Sequence, residues 1–208
     1  MTGESDHGQP LREQDVDADP LVQFAVWYEQ AQAAGMRMPE AAAVATAAAD
    51  GSPSVRMVLV KAFDERGFVF FTNYSSRKGG ELAENPRAGL LFYWDPLGRQ
   101  VRITGPVTRT SEEETAAYVR TRPRGSQLSA LASPQSQVVG DREQLERAVA
   151  ELAERYGEGE LPIPEGWGGF RVAVEEIEFW QQRSDRLHDR LRYRRDGQGD
   201  WAIERLAP

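Results

Sequence analysis

Residues 41–63 read Ala41-Ala42-Ala43-Val44-Ala45-Thr46-Ala47-Ala48-Ala49-Asp50-Gly51-Ser52-Pro53-Ser54-Val55-Arg56-Met57-Val58-Leu59-Val60-Lys61-Ala62-Phe63. Two runs, Ala41–Ala49 and Ser54–Phe63, flank Asp50-Gly51, a pair that tolerates the positive φ of a tight hairpin turn. Working outward, Asp64-Glu65-Arg66-Gly67 turns the chain into Phe68–Thr72. Ser75-Ser76-Arg77-Lys78-Gly79-Gly80-Glu81-Leu82 reads as a helix N-terminus, and Pro86 bounds that helix. Strands follow at Ala88–Trp94 and Arg99–Thr108, split by Asp95-Pro96-Leu97-Gly98. Ser111 and Glu114 form a capping box for a helix through Tyr118 to about Arg122, where Pro123 interrupts it. Asp141–Tyr156 is amphipathic, with Leu145, Ala148, Val149, Leu152 and Tyr156 on one side. Pro- and Gly-rich sequence then leads to strands at Phe170–Trp180, Leu191–Arg194 and Trp201–Leu206. Upstream, Pro20 opens a helix in which Leu21, Phe24, Ala25, Tyr28 and Ala31 recur at helical spacing, ending near Gly35. Residues 1–18 are polar and aperiodic, which predicts a mobile tail before one domain over residues 19–208. Short strands joined by tight turns predict a mainly β architecture, an antiparallel barrel with peripheral helices. Strands and helices do not alternate one for one, which disfavours a doubly wound parallel sheet.

Composition narrows the chemistry. The 208 residues, 40% hydrophobic and 28% charged, suit one globular domain of ordinary size. With no cysteine, disulfides, thiolate metal sites and a cysteine nucleophile are excluded together, in keeping with a reducing compartment. A formal net charge of -8 argues against nucleic acid, whose phosphates need a positive surface. No apolar run approaches the roughly 20 residues that span a bilayer. The N-terminus is polar and acidic, unlike a signal or transit peptide, so the expected location is the cytoplasm.

Histidine is the next filter. His7 lies in the tail and His188 in the body, so no multi-histidine metal site can form. No G-x-S-x-G elbow, Walker loop or G-x-G-x-x-G turn occurs. What remains is cations beside hydroxyls and amides, residue types that bind phosphate monoesters. Arg56 and Lys61 close an apolar strand, five residues apart and so on opposite faces; solvated end charges are the alternative. Arg77 and Lys78 sit at a helix start, where free N–H groups favour an anion, or merely cap a surface helix. Tyr118, Arg122 and Ser126, spaced by four, make a possible hydroxyl–guanidinium–hydroxyl cup around the Pro123 break. Between Arg183 and Arg195 the acidic chain concentrates six arginines around His188, close to Trp180. That set suits a flat anionic ligand, or an interface. Gln100, Gln135 and Ser136 add amide and hydroxyl donors in loop-like contexts.

With those groups in view, the chain resembles the pyridoxamine 5'-phosphate oxidase family from Asp19 to Pro208. The resemblance rests on an ordered set: R-M-V-L-V-K, F-F-T-N-Y-S-S-R-K-G, L-L-F-Y-W, R-Q-V-R, R-P-R-G-S, A-S-P-Q-S-Q, W-G-G-F-R-V, I-E-F-W-Q and R-L-H-D-R-L-R-Y. It implies the FMN-binding split barrel, a homodimer with flavin at the subunit interface, and phosphorylated B6 vitamers with O2 as substrates. Position by position it implies FMN contacts from Arg56, Met57, Val58, Leu59, Val60, Lys61, Phe71, Thr72, Arg77, Lys78, Gln100, Gln135, Ser136, Trp180 and Arg190. Lys61, Tyr118, Arg122 and Ser126 would hold the substrate phosphate, and Arg186, Leu187 and His188 would face the pyridine ring, with Arg186 and His188 as catalytic residues. Relatives often carry a basic, tyrosine-containing segment before the first helix; Met1–Gly8 is acidic instead, which bears on lid closure. Rival readings are an FMN oxidase of phenazine biosynthesis, a deazaflavin protein on the same fold, and a non-catalytic flavin or pyridoxal-phosphate binder.

Overall fold

A computed structural model describes residues 9–196 and 199–208. The Asp50-Gly51 hairpin forms as its sequence demands. Strand β1 (Ala41–Ala47) pairs antiparallel with β2 (Pro53–Asp64), Ala41 opposite Leu59 and Ala47 opposite Pro53. Gly67 begins β3 (Gly67–Asn73), which pairs back onto β2 with a bulge between Val60 and Ala62. Lys61 is the extra residue of that bulge. Helix α1 (Pro20–Ala33) precedes the sheet, with the Asp19 side chain capping the Leu21 N–H, and α2 (Arg77–Glu84) follows β3. Next come β4 (Arg87–Trp94) and β5 (Arg99–Arg109), then α3 (Glu112–Thr121), which carries the expected capping box of Ser111 and Glu114. Helices α4 (Arg124–Ala132) and α5 (Arg142–Tyr156) pack on each other before β6 (Trp167–Val172), β7 (Glu176–Gln181), β8 (Asp189–Arg195) and β9 (Trp201–Arg205).

Among the described residues the strands form one antiparallel sheet in the order β4-β1-β2-β3-β6-β5-β7-β8-β9, and β4 also pairs with β5. That extra pairing closes β4-β1-β2-β3-β6-β5 into a six-stranded barrel, with β7, β8 and β9 continuing as a flap from β5. The sequence reads Phe170–Trp180 as one strand, and the structure corrects this at residues 173–175. Between Thr104↔Glu176 and Val107↔Val172 strand β5 advances three residues while its partner advances four. The slip lets β6 turn in to meet β3 while β7 leaves with the flap. Gly105 permits it, since a Cβ there would lie 1.8 Å from the Ala173 carbonyl oxygen.

Inside the barrel Phe24 of α1 meets Phe63, Phe68 and Phe92 at ring separations of 4.9, 4.8 and 5.1 Å, and Trp94 at 5.8 Å. Side chains of this size dominate the apolar burial that holds a small barrel closed. Two further corrections concern the edges. Helix α4 is not foreseen in the sequence, where only the break at Pro123 shows. The tail expected over residues 1–18 meets the body well before its end: Leu11 is buried, its N–H donates to Asp189, Glu13 pairs with Arg205, and Tyr193 donates to the Asp17 carbonyl. Residues 1–8, including His7 and the acidic start, lie outside the described residues. No described helix is long and apolar enough to cross a membrane.

Candidate functional site

The end of β3 and the start of α2 build a cradle around one ammonium. Ser76 caps α2 by accepting from the Gly79 N–H, which fixes the first turn and folds Lys78 inward. Lys78 is buried, and Nζ donates to Thr72 Oγ1 at 2.9 Å, Gln135 Oε1 at 3.0 Å and Ser76 Oγ at 3.4 Å. All three acceptors are neutral, and no described carboxylate lies within ion-pair distance of Nζ. Burial and then the nearby Arg56 guanidinium pull the Lys78 pKa down, with Glu81 opposing. A buried cation whose hydrogen-bond partners are all neutral, beside the free N–H groups of a helix start, suits an anion. Gly79 is required here for a steric reason, because a Cβ would lie 2.1 Å from the Tyr74 carbonyl oxygen.

Glu81, one turn along α2, organises the flank. Its Oε2 accepts from Thr46 and Ser54 and pairs with Arg56 at 3.3 Å, while Oε1 accepts from Arg77 Nε at 2.9 Å. Burial pushes its carboxyl up, but hydrogen bonds from Ser54, Thr46 and Arg77, with the Arg56 charge, outweigh this and bring the pKa down to about 2. Arg56 also donates to Thr46 and Ser54. The sequence reading passed over Glu81, although its spacing of four from Arg77 was a legible helical ion pair.

One residue back on β3, Phe71 faces the other way. Its ring stacks on Tyr118 at 3.9 Å and on Trp167 at 5.7 Å, and Tyr118 lies parallel to Trp167 at 6.0 Å. The Arg122 guanidinium sits 4.8 Å from the Trp167 ring centre, and its Nη1 is buried without a hydrogen-bond partner. Burial holds the Arg122 pKa down and pushes that of Tyr118 up. The expected shared helix face of Tyr118 and Arg122 needs correcting: Arg122 stands one residue past α3 with ψ 143°, in the extended conformation that a following proline favours. Trp167, not the helix, brings the two together. Ser126 lies in the first turn of α4, its N–H donating to the Pro123 carbonyl.

A second group lies across the flap. Tyr93, Gln100, Trp180 and Arg190 occupy one cross-strand row through β4, β5, β7 and β8, so their side chains share a face. Arg190 arrives already paired: Nε and Nη2 contact Glu178 at 2.7 and 3.1 Å, and Nη1 donates to the Ala207 carbonyl. Glu178 also binds Arg102, so this buried carboxylate, unforeseen in the sequence, is shared by two guanidinium groups. In the β7–β8 loop Asp185 and Arg186 adopt left-handed φ of 56° and 60°, which turns Arg186 and Leu187 outward; Leu187 is 70% exposed. The His188 ring lies 4.6 Å from Trp180, and Nδ1 accepts from the Arg183 N–H at 3.1 Å.

Within one chain the structure unites Thr72, Lys78 and Gln135, with Arg77 and Arg56 tied to each other through Glu81 on the same helix, and it sets Phe71, next to Thr72, in the stack with Tyr118. Ser136 follows Gln135 with φ 71°. It unites Gln100, Trp180, His188 and Arg190 separately, and no described hydrogen bond or ion pair joins the two groups. Lys61 reaches neither, since Nζ lies 3.5 Å from Glu40 beside a cavity of about 260 Å³ lined by Phe24, Tyr28 and Phe92. Along β2 Val58 is half-buried and Val60 buried, whereas Val55, Met57 and Leu59 point out of the barrel with 69, 64 and 38% exposure. Their outward sheet face continues through Ala43 and Leu91 to a shallow groove at Gln100 and Arg102. A row of exposed aliphatic side chains this long marks an association surface.

Known proteins resemble this chain over nearly its whole length. Residues 28–156 match the family described as Pyridoxamine 5'-phosphate oxidase, and residues 167–208 match the Pyridoxine 5'-phosphate oxidase C-terminal dimerisation region. A pyridoxine/pyridoxamine 5'-phosphate oxidase of Rubrobacter xylanophilus is 56% identical over 198 residues, covering 95% of this chain and 91% of the relative. One from Streptomyces avermitilis is 54% identical, with coverages of 95 and 91%. Among solved structures, PhzG from Burkholderia lata in complex with tetrahydrophenazine-1-carboxylic acid superposes with a TM-score of 0.90 at 37% identity, covering 97% of this chain and all of the other. A pyridoxamine 5'-phosphate oxidase-related, FMN-binding protein from Nostoc punctiforme shares the fold, with a TM-score of 0.69 at 17% identity over 95% of this chain and 98% of that one.

Proposed function

This chain belongs to the pyridoxamine 5'-phosphate oxidase family, and from that premise we propose how its residues divide the work. The overall activity is the oxidation of pyridoxamine or pyridoxine 5'-phosphate to pyridoxal 5'-phosphate by a homodimer with FMN as cofactor. Oxygen is consumed and hydrogen peroxide released; the amine also takes up water and yields ammonia. When bound, FMN supplies the two-electron acceptor for the hydride leaving the substrate's 4' carbon, and the chain supplies position and charge.

The observation that carries the assignment is a pair of cations without carboxylate partners: Lys78, buried beside Thr72, and Arg122, half-buried with its Nη1 enclosed, beside the ring stack of Phe71, the residue next to Thr72 on β3. Lys78, with Arg77, Thr72, Gln135 and Ser136, holds the phosphate end of FMN. Arg122, with Tyr118 and Ser126, holds the substrate phosphate, to which the buried Nη1 can donate. Lys61 swings from Glu40 to join one of these anions. A second copy of the chain, packed on the outward face of β1, β2, β4 and β5, brings Met57, Leu59, Gln100, Trp180 and Arg190 around the flavin ring. Arg186, Leu187 and His188, turned outward by their loop, cover the pyridine. Arg190 is held by Glu178, which it shares with Arg102, so the trio keeps one net positive charge beside the ring's edge. A cytoplasmic location completes the proposal, supported by the absence of cysteine.

The test is spectroscopic first. Purified protein should show flavin absorbance that bleaches when pyridoxamine phosphate is added without oxygen, and should form peroxide when oxygen is admitted. Replacing Arg122 with Leu should raise KM for pyridoxine phosphate by about 10- to 100-fold, since a charged hydrogen bond to phosphate is lost. The likeness to PhzG motivates a phenazine-type substrate as the second reading. Turnover of an unphosphorylated tricycle that is indifferent to Arg122→Leu would favour it, because such a ligand has no use for that guanidinium.

A further inference from the structure

The loop between β7 and β8 fixes more than the position of His188. Its backbone and side chains are braced at three points. Gln181 pairs with Asp189 at the strand ends, the Arg183 N–H donates to His188 Nδ1 at 3.1 Å, and Arg183 Nε donates to Asp189 Oδ2 at 2.8 Å. Asp189 is itself held, accepting from the Leu11 N–H at 3.1 Å and from Arg205 Nη1 at 2.9 Å. Arg183 and Asp189 are nearly buried, with side-chain exposures of 10 and 15%. The imidazole cannot turn freely, because Trp180 lies against it.

A peptide N–H only donates, so the nitrogen that receives it must carry a lone pair. His188 Nδ1 is therefore bare, and the proton of the neutral ring resides on Nε2. Turning the ring over would set Cδ2–H against the Arg183 amide and leave that donor unmet. A ring with its proton on Nδ1 would set two donors face to face. The free edge of the ring thus offers a hydrogen-bond donor, whereas a base that removes a proton from substrate must offer a lone pair there.

We propose that His188 serves the oxidation as an Nε2–H donor to a lone pair on the substrate's pyridine edge, not as the base that takes its proton, and that Asp189, acting through Arg183, is the positioning residue that sets this tautomer. The hydroxyl proton lost as the alcohol becomes an aldehyde then passes to solvent water. This rests on the reading above, in which the loop covers the pyridine.

Two histidines in the whole chain make the test clean. In the FMN-loaded dimer carrying His7→Gln, nitrogen NMR of labelled histidine should show one ring with bare Nδ1 and protonated Nε2. Finding the proton on Nδ1 overturns the proposal. Asp189→Asn should shift the spectrum toward a tautomer mixture and lower kcat severalfold, with flavin absorbance and KM little changed. An unaltered spectrum removes Asp189 from the role. His188→Gln keeps an amide N–H near the Nε2 position but cannot act as a base. Its kcat should stay within about tenfold of wild type, whereas His188→Leu should fall on the order of 100-fold. Equal losses in the two variants overturn the donor role. Should the wild-type protein oxidise no phosphorylated pyridine alcohol or amine, the functional reading fails, and the spectrum still decides the tautomer.

Discussion

At the scale of single residues, the site is an exercise in where charge is left uncompensated. The chain has 25 lysines and arginines, and most of the arginines around the flap are answered by a carboxylate. Lys78 and Arg122 are not. Removing the Lys78 charge with Met should cost FMN about 10- to 100-fold in affinity, read by flavin fluorescence during titration, while the apoprotein gains stability from losing a desolvated cation. Glu81 makes the opposite case, a carboxylate with more donors than it needs. Its folded pKa of about 2 lies below the ordinary 4.5, so its contribution is complete above 4.5 and is lost as pH falls toward 2. Glu81→Gln should therefore lower Tm near neutral pH, and the gap to wild type should narrow steadily below pH 4.5; a gap independent of pH would contradict the assignment.

At the scale of elements, two backbone devices aim these charges. Proline at 123 ends α3 and throws Arg122 onto Trp167, and the Ser76 cap together with Gly79 sets α2 hard against the Tyr74 carbonyl. Gly79→Ala cannot keep that approach, so α2 must shift and carry Lys78 with it. We expect a loss of about 1–3 kcal/mol in stability, from strain of the overpacking kind, together with weakened FMN binding. Thermal denaturation with and without FMN separates the two effects, since the ligand-induced rise in Tm should shrink. Helix boundaries and capping boxes of this kind could be read from the chain because they depend on near neighbours. Strand breaks could not: the slip at residues 173–175 is imposed by β3 and β5, far away in sequence.

At the scale of the whole molecule, the barrel shows an apolar outer face that a lone chain has no reason to keep. Val55→Asp places a charge on that face without touching the core. The variant should elute as a monomer and lose FMN together with its partner, because in the proposed site the Lys78 cradle and the Trp180 row meet only across two copies. Sedimentation and flavin absorbance measured on one sample check both halves; a monomer that retains FMN at wild-type affinity would refute the shared site.

Hairpin turns, helix caps and the mainly antiparallel class were all legible in the amino-acid sequence, since each rests on local backbone preference; the residues proposed to bind phosphate were legible as residue types only. Which cations lack partners was not. Glu178 pairs with Arg190 from the neighbouring strand, Glu40 holds Lys61 from the far side of a bulge, and Trp167 gathers Tyr118 and Arg122 from about fifty residues away in the chain. Electrostatic balance is a property of distances in space, and only the folded barrel brings those distances about.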